Sequence, residues 1–185
     1  MRKCSWKAKG ALWISEINWP LKDTGNFSPC KGSVLVDEQI QANYLTRAYL
    51  MAIASGQIRT CYWHQLVAPG YGLVDNRGDE AIRRPSYHAF KALNSLYNEA
   101  NILHFDNGNY AGIQGLYSIR ARTLLAGKPT IVQAFWSNSG EHQIDFNEAD
   151  RWLDQNGDTL VFENETNISI SGSVLYALSQ DSSAV

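Results

Sequence analysis

The apolar pattern of this chain changes period once, and that change limits what it can fold into. Up to about Asn98, short apolar runs alternate with stretches at helical spacing; beyond it, apolar and polar residues alternate between turn signals. "ALWI", residues 11 to 14, reads as a short buried strand, and a loop rich in Gly, Pro and Ser runs from about Lys22 to Ser33. "VDEQIQANYLTRAYLMAIASG" predicts a helix with Asp37 as N-cap and Gly56 as its stop. Ile40, Tyr44, Leu45, Ala48, Met51 and Ala52 would form its inward face. "IRTCYW", residues 58 to 63, predicts a second strand. "PSYHAFKALNSLY" predicts a second helix, with Pro85 in its first turn and Ala89, Phe90, Leu93, Leu96 and Tyr97 facing inward. The order strand, helix, strand, helix implies parallel strands joined by crossover helices.

The second half reads differently. "GLYSIRARTLL", "TIVQAFWS" and "HQIDF" are strand-like, Asn156-Gly157 signals a tight hairpin, and "ISISGSVLYAL" supplies closing strands. The expected fold class is α/β plus β: two βα units over residues 1–98, then an antiparallel sheet or β-sandwich over residues 99–185.

Composition narrows the function classes. A net charge of -2 leaves no electrostatic footprint for nucleic acid or an anionic membrane. No apolar run approaches the roughly 20 residues of a membrane span, and the N-terminus lacks the apolar core of a signal peptide. A cytoplasmic location is therefore expected for the chain as written. Cys4, Cys30 and Cys61 match no zinc or redox spacing, with Cys61 expected as a small core residue. His88, His104 and His142 sit on separate elements, so no metal or other cofactor is implied.

Chemistry enters with "LWISEINWP". Catalytic groups of an α/β barrel sit at the C-terminal ends of its strands. Glu16 lies just past the first strand, and Trp63 and His64 end the second. Adjacent parallel strands would bring them to one rim, beside Asn18 and Trp19. A carboxylate next to flat aromatic surface suits a sugar, whose anomeric carbon it can attack and whose C–H face packs on an indole. Tyr62 would point away from the rim and serve packing.

The segments "LWISEINWP", "EQIQANYLTRAYLMAIASGQIRTCYWHQL" and "GYGLVDNRGDEAIRRPSYHAFKAL" resemble the C-terminal part of a retaining glycoside hydrolase of the large (β/α)8-barrel clan. That resemblance implies a nucleophile at Glu16 after strand seven, and a helix carrying Gln41, Ala42, Leu45 and Arg47. It also implies a subsite floor at Trp63 after strand eight. The Gly72-Leu73 segment and the helix with Pro85, Tyr87, Ala89 and Leu93 follow in the clan's order. "TIVQAFWSNSGEHQIDF" and "RWLDQNGDTL" resemble strands of the accessory β-sandwich in β-xylosidase-like and endoglycosidase-like families.

The departure from the clan matters as much. A whole barrel takes about 250 residues; here only the last two βα units precede the sandwich. The clan's general acid/base follows strand four, and no such strand precedes Glu16. Asp23, Asp37, Glu38, Asp75, Asp79 and Glu80 are the carboxylates that follow, and none is marked as an acid. The reading is a glycosidase fragment that acts on oligosaccharide or polysaccharide in its complete form, with Glu16 as nucleophile and Trp63, His64, Asn18 and Trp19 at the substrate. The expected partners are carbohydrate and either the missing barrel segment or a second copy. The alternative is a non-catalytic carbohydrate-binding or interaction module derived from a glycosidase.

Overall fold

The computed structural model describes residues 12–22, 32–162 and 166–183. Cys4, Cys30 and Asp23 lie outside them. In chain order the elements are β1 (Leu12–Ile17), α1 (Glu38–Ala54), β2 (Ile58–Trp63), β3 (Val74–Asp75), β4 (Ile82–Arg83) and α2 (Pro85–Tyr97). They continue with β5 (Asn101–Asp106), β6 (Asn109–Tyr110), β7 (Ile113–Gln114), β8 (Leu116–Leu125) and β9 (Lys128–Ser137). The chain closes through β10 (His142–Asp145), β11 (Arg151–Leu153), β12 (Thr159–Leu160), β13 (Asn167–Ile170) and β14 (Leu175–Gln180). The molecule is mixed and mostly β, with two helices among the described residues.

β1 and β2 are parallel, with α1 as their crossover, as the alternating pattern predicts. Asp37 caps α1, its carboxylate accepting from Ile40 N at 2.7 Å. Such a cap contributes about 1 kcal/mol. The buried face of α1 is rotated from the expected one: Gln41, Ala42, Leu45, Thr46, Tyr49, Leu50 and Ala52 are buried, while Tyr44 and Met51 are exposed. Two polar side chains enter that face because each is satisfied there. Thr46 Oγ1 donates to Ala42 O at 2.9 Å, and the Gln41 amide is held at both ends. α2 starts with Pro85 at its first position and buries Ala89, Leu93, Leu96 and Tyr97.

A six-stranded antiparallel sheet, in the order β12-β11-β14-β9-β8-β5, forms the second half. Alternation gives its strands two different faces. One face, with Ile119, Ala121, Val132, Ala134, Trp136, Tyr176 and Leu178, packs on Leu45 and Tyr49 of α1 and on Leu93, Leu96 and Tyr97 of α2. The other buries Leu116, Phe135 and Ala177 under Ile144, Ile168 and Ile170 of the β10–β13 pair, with Phe146 and Trp152 beside them. One core therefore runs across residue 98. Polar ties follow the same join: Tyr97 OH donates to Ile119 O at 3.2 Å, and Ser173 Oγ to Asn43 Oδ1 at 3.2 Å. Arg47, expected as a surface or interhelical charge, reaches from α1 to the carbonyl of Gly172 before β14.

The β1–β2 pair departs from the buried strands expected. Leu12 is 47% exposed, Trp13 62% and Tyr62 50%. Among the described residues these two strands pair only with each other, so each has an open edge and one face of the pair meets water. Parallel strands are ordinarily covered on both faces.

Candidate functional site

The C-terminal ends of β1 and β2 meet beside the loop that leaves β2. The ladder pairs Ile14 with Cys61 and Ile17 with Trp63, with an irregularity of register in between. Ser15 and Glu16 occupy that irregular stretch. A bulge at this place re-aims side chains out of the regular alternation. Glu16 Oε1 lies 3.4 Å from His64 Nδ1, with the Glu16 side chain 65% exposed and His64 36%. The His64 backbone N–H donates to Ile17 O at 3.1 Å, which ties the loop's first residue to the end of β1.

Asn18 is a clamp. Its amide donates to the carbonyls of His64 at 2.7 Å and Tyr71 at 3.2 Å. Buried Gln41 reaches the same place from α1, donating to Trp19 O at 2.9 Å, while its own oxygen accepts from Ser86 Oγ of α2 at 2.8 Å. Tyr71 stands edge-on to the His64 ring, centroids 5.8 Å apart at 82°. Trp19 lies between Tyr44 (5.3 Å) and Trp63 (6.2 Å). The structure thus brings Glu16, Asn18, Trp19, Trp63 and His64 to one end of the parallel pair.

Two details differ from the expected arrangement. Trp63 turns toward the helices, packing against the main core, and its Nε1 is shielded from water without a hydrogen-bond partner. Tyr62, expected to pack, is the residue on the open face, with Trp13 beside it at 6.4 Å. Strand alternation explains both: α1 covers the face that carries Cys61 and Trp63, so Tyr62 must point away. Cys61 and Trp63 pack against the core cluster that holds Tyr49, whose OH also donates to Cys61 O at 3.2 Å.

Three of the carboxylates near the loop, Asp75, Glu38 and Asp37, are committed to structural work. Arg84 is 1% exposed and is the hub. It donates to the carbonyls of Ala68 (2.9 Å), Pro69 (2.6 Å) and Gly72 (2.7 Å), to Glu38 (2.9 Å), and pairs with Asp75 (2.9 Å). Asp75 also takes Arg77 at 2.6 Å. Hydrogen bonds from Arg77, with the charges of Arg84 and Arg77, hold the Asp75 carboxyl at about 2. It is therefore ionised across the physiological range and has no proton to donate as a general acid. Asp37 is spent on the α1 cap.

Sequence reasoning missed Arg84 and Tyr71, and took Gln41 only as part of a helix pattern. The one signal for Arg84 was its place directly before Pro85, at the N-cap position of a helix, where a charged residue reads as solvated. No group of three or more metal-ligating side chains occurs among the described residues. The chain matches no protein-family model and no curated protein.

Proposed function

We propose that this chain is the C-terminal portion of a retaining β-glycosidase-like protein: the last two βα units of a (β/α)8 barrel, followed by an accessory β-sandwich. The observation that carries the reading is the carboxylate of Glu16 at the C-terminal end of one parallel strand, 3.4 Å from His64 at the end of the next. That is where barrel enzymes keep reacting groups. Among the described residues, the open edges and exposed outer face of the β1–β2 pair fit strands that take further neighbours in a barrel.

In the complete form Glu16 attacks the anomeric carbon, the glycosidic bond breaks, and an ester between sugar and Glu16 forms; water then cleaves the ester. His64 stands beside the carboxylate, its Nδ1 3.4 Å from Glu16 Oε1. Protonation of the leaving oxygen needs a second carboxyl group roughly 5 Å from the first. Asp75, Glu38 and Asp37 are engaged elsewhere; in the proposed complete form that group comes from another barrel strand. This same observation favours the second reading, a sugar-binding module without turnover.

Titration with cellobiose, xylobiose and mannobiose, followed by the indole N–H of Trp63 and the ring of His64, tests the cleft. The expected result is saturable shifts at millimolar sugar, on the order of −4 kcal/mol. The shifts should be weakened strongly in Trp19→Ala, which removes the ring between Tyr44 and Trp63, and little in Glu16→Gln. Absence of shifts at both probes with every sugar contradicts a sugar cleft at this rim.

A further inference from the structure

The inward face of α1 carries one amide among its apolar residues. Gln41 has no exposed surface, and neither has Ser86 on α2. A buried amide must find partners for both of its ends. Gln41 finds them in three other places of the fold. Its Nε2 donates to Trp19 O at 2.9 Å, after β1, and to Tyr71 O at 3.4 Å, in the loop after β2. Its Oε1 accepts from Ser86 Oγ at 2.8 Å. These partners fix the orientation of the amide, because exchanging its nitrogen and oxygen would set an acceptor against two carbonyls.

The bonds converge on the segment that places Tyr71. Three carbonyls in a row are held there: Gly70 O by the Leu21 N–H at 2.9 Å, Tyr71 O by the amides of Gln41 and Asn18, and Gly72 O by Arg84 at 2.7 Å. Gly72 leaves this turn no slack, since a Cβ there would lie 2.3 Å from Ala68 N. With its backbone pinned, Tyr71 presents its ring edge-on to His64, centroids 5.8 Å apart. Asn18 works from the other side. It donates to Tyr71 O at 3.2 Å and to His64 O at 2.7 Å, which uses both N–H groups of its amide. Asn18, expected at the substrate, is thus engaged with backbone.

An apolar side chain of the same size would pack in the same core and hold neither carbonyl. We propose that Gln41 is the positioning residue of the Glu16 rim. Through the Tyr71 carbonyl it sets the ring that stands against His64. Through the Trp19 carbonyl it sets the turn that follows Glu16, and through Ser86 it ties both to α2. The exposed end of this network is His64, whose Nδ1 lies 3.4 Å from Glu16 Oε1. The effect of Gln41 on catalysis rests on the glycosidase reading above; its effect on the geometry of the rim does not.

The test compares the wild-type chain with Gln41→Met, Ser86→Ala and, as a control, Ser95→Ala, an exposed serine of α2 that bonds only within its own helix. Two signals are read: the nuclear Overhauser contacts between the rings of His64 and Tyr71, and the rate at which Glu16 takes an ester label from a 2,4-dinitrophenyl 2-deoxy-2-fluoro glycoside. In Gln41→Met the ring contacts should be lost and labelling should slow about tenfold or more, because small misplacements of reacting groups slow reaction strongly. Ser86→Ala should move the His64 ring signals in the same direction by less, and Ser95→Ala should match the wild type. Unchanged ring signals in a folded Gln41→Met overturn the proposal; if that variant does not fold, unchanged ring signals in Ser86→Ala overturn it. A labelling rate that stays constant while the ring signals move overturns the catalytic role. No label on the wild type would overturn the glycosidase reading instead, and the ring signals would then decide the positioning role alone.

Discussion

Arg84 shows how much of the site rests on one side chain. Its guanidinium holds three carbonyls of the loop that follows β2 and faces the carboxylates of Glu38 and Asp75. Arg84→Met should cost about 3–5 kcal/mol in urea unfolding, because Asp75 and the loop carbonyls lose their buried donor. The same network has a pH signature. The folded-state carboxyl of Asp75 is depressed to about 2, so its contribution is fully present above the ordinary carboxylate value and is lost as pH falls through about 2. The urea midpoint of the wild type should therefore drop between about pH 4 and pH 2. In Asp75→Asn that part of the drop should be absent; an identical acid profile in the two proteins contradicts the network. None of this was legible before the fold was known. An arginine reads as a surface charge, and only the return of the loop over α2 turns it inward.

At the scale of elements, caps and turn residues were the most readable signals because they act locally. Asp37 caps α1, Pro85 opens α2, and Asn156-Gly157 closes the β11–β12 hairpin with Gly157 at φ 90. The face of α1 was less readable: Gln41 and Thr46 are buried through hydrogen bonds that residue type alone does not reveal. The strand β5 and the β6–β7 hairpin escaped notice, since "NILHFDNGNY" carries few of the β-branched residues that mark a strand. Gly157 also packs closely: a Cβ there would come within 3.2 Å of Ala92 Cβ on α2. Gly157→Ala should destabilise the chain by more than about 1 kcal/mol, from the left-handed backbone and the contact together. An unchanged urea midpoint contradicts that close approach of hairpin and helix.

For the whole molecule, the change of period near residue 98 marks a change in local structure, while the core ignores it. Leu45, Tyr49, Leu93 and Tyr97 pack directly on Ile119, Val132, Trp136 and Tyr176. Unfolding should accordingly be one cooperative transition, with tryptophan fluorescence and far-UV circular dichroism superimposing. Two resolved transitions would mean that the halves are stable separately. The strand–helix order made the parallel pair legible, and period-two alternation made the antiparallel sheet legible. Their shared core was not, because no local pattern states which face of a helix meets which face of a distant sheet.

The central claim is that Glu16 is positioned as a glycosidase nucleophile. An activated leaving group departs without a general acid, so the nucleophile can be trapped alone. Incubation with 2,4-dinitrophenyl 2-deoxy-2-fluoro glycosides of the gluco, xylo, manno and galacto series, read by intact mass and peptide mapping, is the direct measurement. The predicted result is slow gain of one fluoroglycosyl group per chain, as an ester on Glu16, that is abolished in Glu16→Gln. A label on another residue, a label that survives Glu16→Gln, or no label from any of the four reagents would contradict it.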